Sequence, residues 1–285
     1  MDAITVGTGI VNGFALALVA LGFTVVYRAT GVVNFANGSQ MVLGGYISWQ
    51  LGTALGVPAW LAIVGAVVVG MASGLLLDQF AMRPLRRASL LAQVILLLAV
   101  TEAAAVVFLQ VFGPDAKTID AYAGREPVLD SLSWSAMDIT LMVISAGMVV
   151  LLAVALNTTR TGLRMRMVAD NPTGATLVGV NPSVSSSLAW SIGGGLAALS
   201  GALIFPTYLL VPEMGEQYTF DSFAAVALGG FGSLPGAIVG GLVIGVVQAV
   251  VGAEIGATYG PFVSLAVMLA VFLIKPAGLM GAKTS

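Results

Sequence analysis

The chain has 285 residues, of which 58% are hydrophobic and only 8% charged, with a formal net charge of −2 and a mean hydropathy of +1.02. A soluble chain carries about 25% charged residues, so there is too little charge here to solvate a globular surface, and lipid is the solvent that suits it. The near-neutral balance gives no broad attraction to nucleic acid. The absence of Cys and His removes disulfides, thiolate metal sites and His-dependent catalysis, and nothing in the sequence calls for a cofactor or metal.

A membrane span needs about 20 mostly apolar residues. Windows of that kind fall at roughly 4–27, 58–77, 89–112, 138–157, 185–205, 235–253 and 257–274. The first lacks a basic leader, Asp2 being its sole early charge, so it reads as a span rather than a secretory signal. Two further apolar segments, 39–55 and 220–232, are short or broken by glycine.

Charge orients these segments, because Lys and Arg collect in cytoplasmic loops near span ends. Arg83, Arg86 and Arg87 mark the 78–88 loop, Arg160, Arg164 and Arg166 the 158–183 loop, and Lys275 and Lys283 the tail. The 114–137 loop, mostly acidic and with room for a little structure of its own, is placed outside. So is the 206–221 segment with Glu213, Glu216 and Asp221. Parity then requires the 220–232 segment to cross, or to serve as a half-helix leading to the inner side, and puts the N-terminus outside and the C-terminus in the cytoplasm. The expected fold is an all-α polytopic membrane domain over 1–285 with about eight to nine segments, some broken or re-entrant.

Two stretches carry polar or Gly-rich interruptions at apparent membrane depth: TGVVNFANGSQMVLGGY (30–46) and FAAVALGGFGSLPGAIVGG (223–241). Irregular backbone in a bilayer is tolerated only inside protein or along a wet path, and transporters place broken helices around the substrate. Asn34, Asn37, Ser39 and Gln40 in the first stretch, and Gly229, Gly230, Gly232 and Ser233 in the second, are therefore candidates to line a path. The alternatives are a polar turn in water for the first group and close helix packing for the glycines. Glu102 sits near the middle of a strong span, where a charge costs roughly 2.5–3.5 kcal/mol and must face the bundle or water. It reads either as a path contact or as a hydrogen-bonded packing residue, with no evident carboxylate partner in the membrane.

In the 158–183 loop, Asn171 can cap a helix, Pro172 suits its first turn and Gly179 its stop, which predicts a two-turn helix over 172–178. It is either a docking knob for a cytoplasmic partner or an ordinary interfacial loop helix.

Four runs, in order, resemble the permease subunits of branched-chain amino acid ABC transporters over nearly the whole chain. They are NGFALALVALGFTVVYRATGVVNFANGS, RMVADNPTGATLVGVN, FAAVALGGFGSLPGAIVGG and IKPAGLMG. The resemblance implies that Arg166, Ala169, Asp170, Asn171, Pro172, Ala175 and Gly179 form the loop that meets an ATPase. It also implies a homologous second permease subunit, two ATPase subunits and an extracytoplasmic solute-binding protein, in a bacterial inner membrane. The sequence departs from the family pattern at Leu16, Asn37, Ser39 and Glu102, which leaves the solute open: branched-chain or related amino acids, or urea and short amides. There is no Gly-x-x-x-x-Gly-Lys-Ser/Thr phosphate loop, so ATP hydrolysis falls to another chain. An ion-coupled secondary transporter or channel is the alternative of another class; an intramembrane enzyme would need carboxylates or Ser/Lys, and Glu102 has no evident carboxylate partner in the membrane.

Overall fold

The computed structural model describes residues 2–86, 88–119, 127–129, 132, 134–275 and 277–281. Among the described residues seven helices are long and apolar enough to cross a membrane, and they match the seven windows above. In chain order the first is α1, Ala3–Thr30. It stops where Gly31 turns left-handed at φ 71° and returns its N–H to the Tyr27 carbonyl. The short α2, Asn37–Trp49, runs on through a π-turn at Gln50–Ala54. Helix α3, Ala59–Leu76, passes through a second π-turn at Leu77–Met82 into the single turn α4, Arg83–Leu85.

Helix α5, Leu90–Phe112, is capped by Ser89, and α6, Ala136–Thr158, opens on a capping box between Ser135 and Asp138. Between them Pro127–Leu129 pairs antiparallel with Trp134–Ser135, the little structure that loop had room for. Then follow α7, Arg160–Asp170, and α8, Pro172–Leu177. Helix α9, Pro182–Ile204, is capped by Asn181, and α10 covers Met214–Gly229. Helix α11, Leu234–Glu254, is capped by Ser233, and α12, Gly260–Ile274, ends the helical bundle.

Helices α1 and α9 form the axis. Their most apolar windows are each 83% buried, against 12–22% for the spans of α3, α5, α6 and α12, which face outward. Small residues let the axis close: a Cβ on Gly22 of α1 would lie 2.8 Å from the Gly193 carbonyl of α9.

Besides the seven long helices, two shorter ones, α2 and α10, follow non-helical stretches among the described residues. After α1 the chain turns back through a non-helical stretch, 31–36, whose second half (Asn34, Phe35 and Ala36) is buried and turned, and only then begins α2. The Asn37 side chain donates to the Val19 carbonyl, which lies about 16 Å above the end of α1 at 1.5 Å per residue. After α9, residues 205–213 descend without helix and α10 begins beside α2: a Cβ on Gly215 would meet Ser39 at 3.1 Å. Both helices therefore start deep in the bundle.

The structure departs from the sequence reading in three places. Helix α10 begins at Met214, so Glu216 and Asp221, assigned above to an external connection, lie on a helix. Asp221 is buried and accepts from the Ser264 hydroxyl, partners that an apolar scan cannot anticipate. The 158–183 loop holds a second helix, α7, which buries Gly162, Met165 and Val168 at helical spacing although its overall composition is polar. The 223–241 interruption is not at mid-depth: Gly230 (φ 99°) and Gly232 (φ 79°) make the tight turn between α10 and α11 at the end that carries α8. Basic residues on both sides of the chain, Arg28, Arg83, Arg86, Arg166 and Lys275, gather at that same end. Arg87 and Lys283 lie outside the described residues.

Candidate functional site

The first candidate feature is the junction where α2 and α10 begin. Polar side chains there replace the helical hydrogen bonds that residues 31–36 forgo. Asn34 donates its two amide hydrogens to Asn37 Oδ1 and Gln40 Oε1 and accepts from the Ala36 N–H at 3.0 Å. The Ser39 hydroxyl donates to the Ala36 carbonyl at 2.8 Å, and the Gln40 amide reaches the Ser73 hydroxyl of α3 at 3.2 Å. Asn34, Asn37, Ser39 and Gln40 are all buried, so the alternative of a turn in water is excluded.

Two threonines that the sequence did not single out complete the brace. Thr101 of α5 and Thr219 of α10 both lie within donor distance of the Phe35 carbonyl, at 3.0 and 3.2 Å. Each hydroxyl also reaches its own helix, at Leu97 and Gly215. A hydroxyl within an apolar span was the only signal for Thr101, and Thr219, in the polar run before the 220–232 segment, carried none. Below this brace Phe35 packs on Phe223 and Phe23, with ring centroids 5.1 and 6.5 Å apart.

Glu102 stands on the exposed side of α5. It lines a cavity of about 80 Å³ together with Ser39, Thr101, Glu213 and Glu216. Its apparent isolation in the sequence is thus corrected: two carboxylates from the first turn of α10 and the residue before it share the cavity, because residues 205–213 descend into the bundle. Ser39 also forms part of the floor of a second, larger groove of about 810 Å³ between α3 and α5, with Gln40 and Ser73 beside it and walls of Leu43, Leu76 and Phe108. A polar cavity with an acidic rim and an apolar groove therefore share one wall. Among the described residues no group of three His, Cys, Asp or Glu side chains is placed to hold a metal ion.

The other glycine-rich candidates are elsewhere. Gly229 packs its backbone against Gly236, where a Cβ would lie 2.0 Å from the Gly236 carbonyl, and Ser233 caps α11 by accepting from the Gly236 N–H at 3.0 Å. Gly230 meets Gly278 and Gly281 of the tail. These four residues build a hairpin between helices rather than the junction.

The second feature is the α7–α8 elbow. Asn171 accepts from the Gly174 N–H at 2.8 Å, Pro172 opens α8, and Gly179 closes it at φ 82°. Ala175 is buried while Leu177 and Val178 are 84% and 64% exposed, so α8 presents an apolar tip. Arg166 ties α7 to the end of α6 through the Asn157 carbonyl at 3.2 Å, and Ala169 and Asp170 are exposed beside it. The α9 end nearest this elbow is held by Asp78, placed by the π-turn of α3. It accepts from Ser186, Ser187, Arg83 and Arg86 at 2.6–3.4 Å.

A bundle of seven apolar spans among the described residues, with two shorter helices whose starts meet inside it and a capped apolar knob at one end, has the build of a polytopic membrane protein. The chain belongs to the family described as branched-chain amino acid transport system / permease component, whose sequence profile matches residues 5–273. It is 30% identical to the high-affinity branched-chain amino acid transport system permease protein LivH of Escherichia coli K12, over 96% of this chain and 93% of LivH. It is 29% identical to BraD, the corresponding protein of Pseudomonas aeruginosa, over 96% and 94%. A fructose import permease protein, FruF of Bifidobacterium longum, is 26% identical over 77% of this chain and 60% of FruF. The solved structure of PsaBC from Streptococcus pneumoniae, in complex with Fab, shares the fold with a TM-score of 0.52 and 14% identity, over 95% of this chain and 91% of that one.

Proposed function

We propose that residues 1–285 form one permease domain of an ABC importer that carries branched-chain amino acids across a bacterial inner membrane. A second, homologous permease, two ATPase subunits and an extracytoplasmic binding protein complete the importer. The observation that carries this reading is the combination, in a member of this family, of a membrane-depth junction with an exposed helical knob at the far end of the same bundle.

The concentration of arginines at the α8 end argues for that end being cytoplasmic, with the N-terminus outside. Solute arrives at the opposite end and meets the junction. The rim of Glu102, Glu213 and Glu216 suits an ammonium group, and the groove behind Ser39 suits an aliphatic side chain. Asn34, Asn37 and Gln40 hold the broken backbone in place; the departure from the family pattern at Asn37 therefore bears on the brace rather than on the solute.

Work enters through α8. Leu177 and Val178 insert into an ATPase, and Gly179 allows the sharp exit of the chain. Nucleotide binding shifts the elbow between two positions, and the shift reaches the bundle through α9 and Asp78. A ligand can move such an equilibrium only by its differential affinity for the two states, so ATP does the work in the ATPases and the elbow transmits it.

The test is an importer reconstituted in liposomes. Deleting 172–178, or replacing Gly179 with a bulky residue, should abolish solute-stimulated ATP hydrolysis while the chain still inserts. Normal coupling in either variant would refute the docking role. Uptake of labelled leucine should be competed by isoleucine and valine and not by urea or acetamide.

A further inference from the structure

A cavity of about 650 Å³ opens at the α8 end, lined in part by Gly31 and Val32 and by none of the junction residues Asn34, Asn37, Ser39 or Gln40. Its walls come from the end of α1, the π-turn of α3, the start of α5, the elbow and the start of α9. That size is within the range of small-molecule sites. Its apolar surface includes Val32, Met82 and Trp190.

Its polar groups are unevenly satisfied. Asp78 is saturated by two serines and two arginines and offers no free charge. Arg86 is shared between Asp78 and Ser183. Arg28, exposed at the rim, has no ion pair among the described residues. Gln93 is 7% exposed, and its amide nitrogen is spent on the Leu85 and Ala88 carbonyls, which fixes the orientation of the amide. Its Oε1 is buried with no partner. A buried carbonyl oxygen left bare costs about 1–3 kcal/mol unless something fills it.

Two residues of the cavity wall are therefore short of partners: Arg28, whose guanidinium takes a carboxylate, and Gln93, whose covered Oε1 takes an N–H donor once a small shift of the wall uncovers it. We propose that it is a second amino-acid site, binding the zwitterion of an aliphatic α-amino acid on the ATPase side of the permease. The carboxylate pairs with Arg28, the ammonium donates to Gln93 Oε1, and the side chain lies against Trp190 and Met82. Val168, Ala169 and Pro172 form part of the wall, so an occupant touches the elbow directly. The assignment rests on the importer reading for its ligand class.

The experiment measures binding of labelled L-leucine to the permease–ATPase complex in nanodiscs, without the binding protein. Saturable binding is expected, weakened about tenfold or more by Arg28→Ala and by Gln93→Leu, the loss of one charge-assisted hydrogen bond each. 4-Methylpentanoate and leucinamide, each lacking one charged end, should compete about tenfold less well than leucine. Leucine uptake driven by the binding protein, measured on the same variants, reports their folding and should persist. No binding by the unsubstituted complex, or binding indifferent to both substitutions, overturns the second site. Loss of uptake in the unsubstituted importer would instead strike the importer reading itself.

Discussion

The backbone N–H of Gly38 donates to the Thr219 hydroxyl at 3.1 Å, so the first turn of α2 and the upper half of α10 touch backbone to side chain. The contact exists because position 38 has no side chain: a Cβ there would lie 1.9 Å from the Gly215 carbonyl and 2.3 Å from Thr219 Oγ1. Gly38→Ala must push the two half-helices apart. Overpacking of this kind costs about 1–3 kcal/mol, and the thermal midpoint of the detergent-purified protein should fall with uptake. An unchanged midpoint would mean that the junction is looser than its geometry.

Thr101 and Thr219 can each serve the Phe35 carbonyl. For the carbonyl either one alone suffices, so Thr101→Val should cost about 1 kcal/mol or less, whereas Thr219→Val also leaves the buried Gly38 N–H without its acceptor and should cost about 1–3 kcal/mol. The double variant strips the carbonyl and should cost more than their sum, with a coupling of about 0.5–3 kcal/mol. A double-mutant cycle on unfolding midpoints measures this; strict additivity would deny the shared acceptor.

Asp78 is 1% exposed, whereas its partners Arg83 and Arg86 are 40% and 37% exposed. Removing one member of a fully buried pair costs about 3–5 kcal/mol. Water at the two arginines lowers the expected loss for Asp78→Ala to about 1–3 kcal/mol, with Asp78→Asn less affected. Because the same carboxylate anchors α9 next to the elbow, solute-stimulated ATP hydrolysis should drop further than stability alone dictates. Full coupling at a temperature where Asp78→Ala remains folded would remove Asp78 from the transmission route.

The Asn171 cap holds a helix of six residues, too short to persist by propensity. Asn171→Ala should cost about 1 kcal/mol of local stability and reduce ATPase stimulation without abolishing it, while Asn171→Ser should retain it. Equal stimulation in all three proteins would show that the knob is held by its partner and not by its cap.

Glu102→Gln removes one of three carboxylates around the junction cavity. If the rim receives an ammonium group, leucine uptake should need several-fold more loaded binding protein for half-maximal rate, with basal ATP hydrolysis unchanged. An identical concentration dependence would assign Glu102 to packing.

The sequence by itself determined the solvent, the passages and the knob. Seven apolar windows became seven helices because length and hydropathy alone decide what crosses a bilayer, and Asn171, Pro172 and Gly179 bound α8 because caps are local chemistry. The polar run from Asn34 to Gln40 was legible as a break for the same reason. Only the tertiary structure decided which breaks meet. Gly229 to Ser233 looked like the counterpart of that run and proved to be a hairpin, whereas the true counterpart, residues 205–213 leading into α10, was hidden by the polar residues Thr219 and Asp221. Their satisfaction depends on Phe35 and Ser264, distant in sequence, and no local pattern carries the identity of a hydrogen-bond partner across 184 residues.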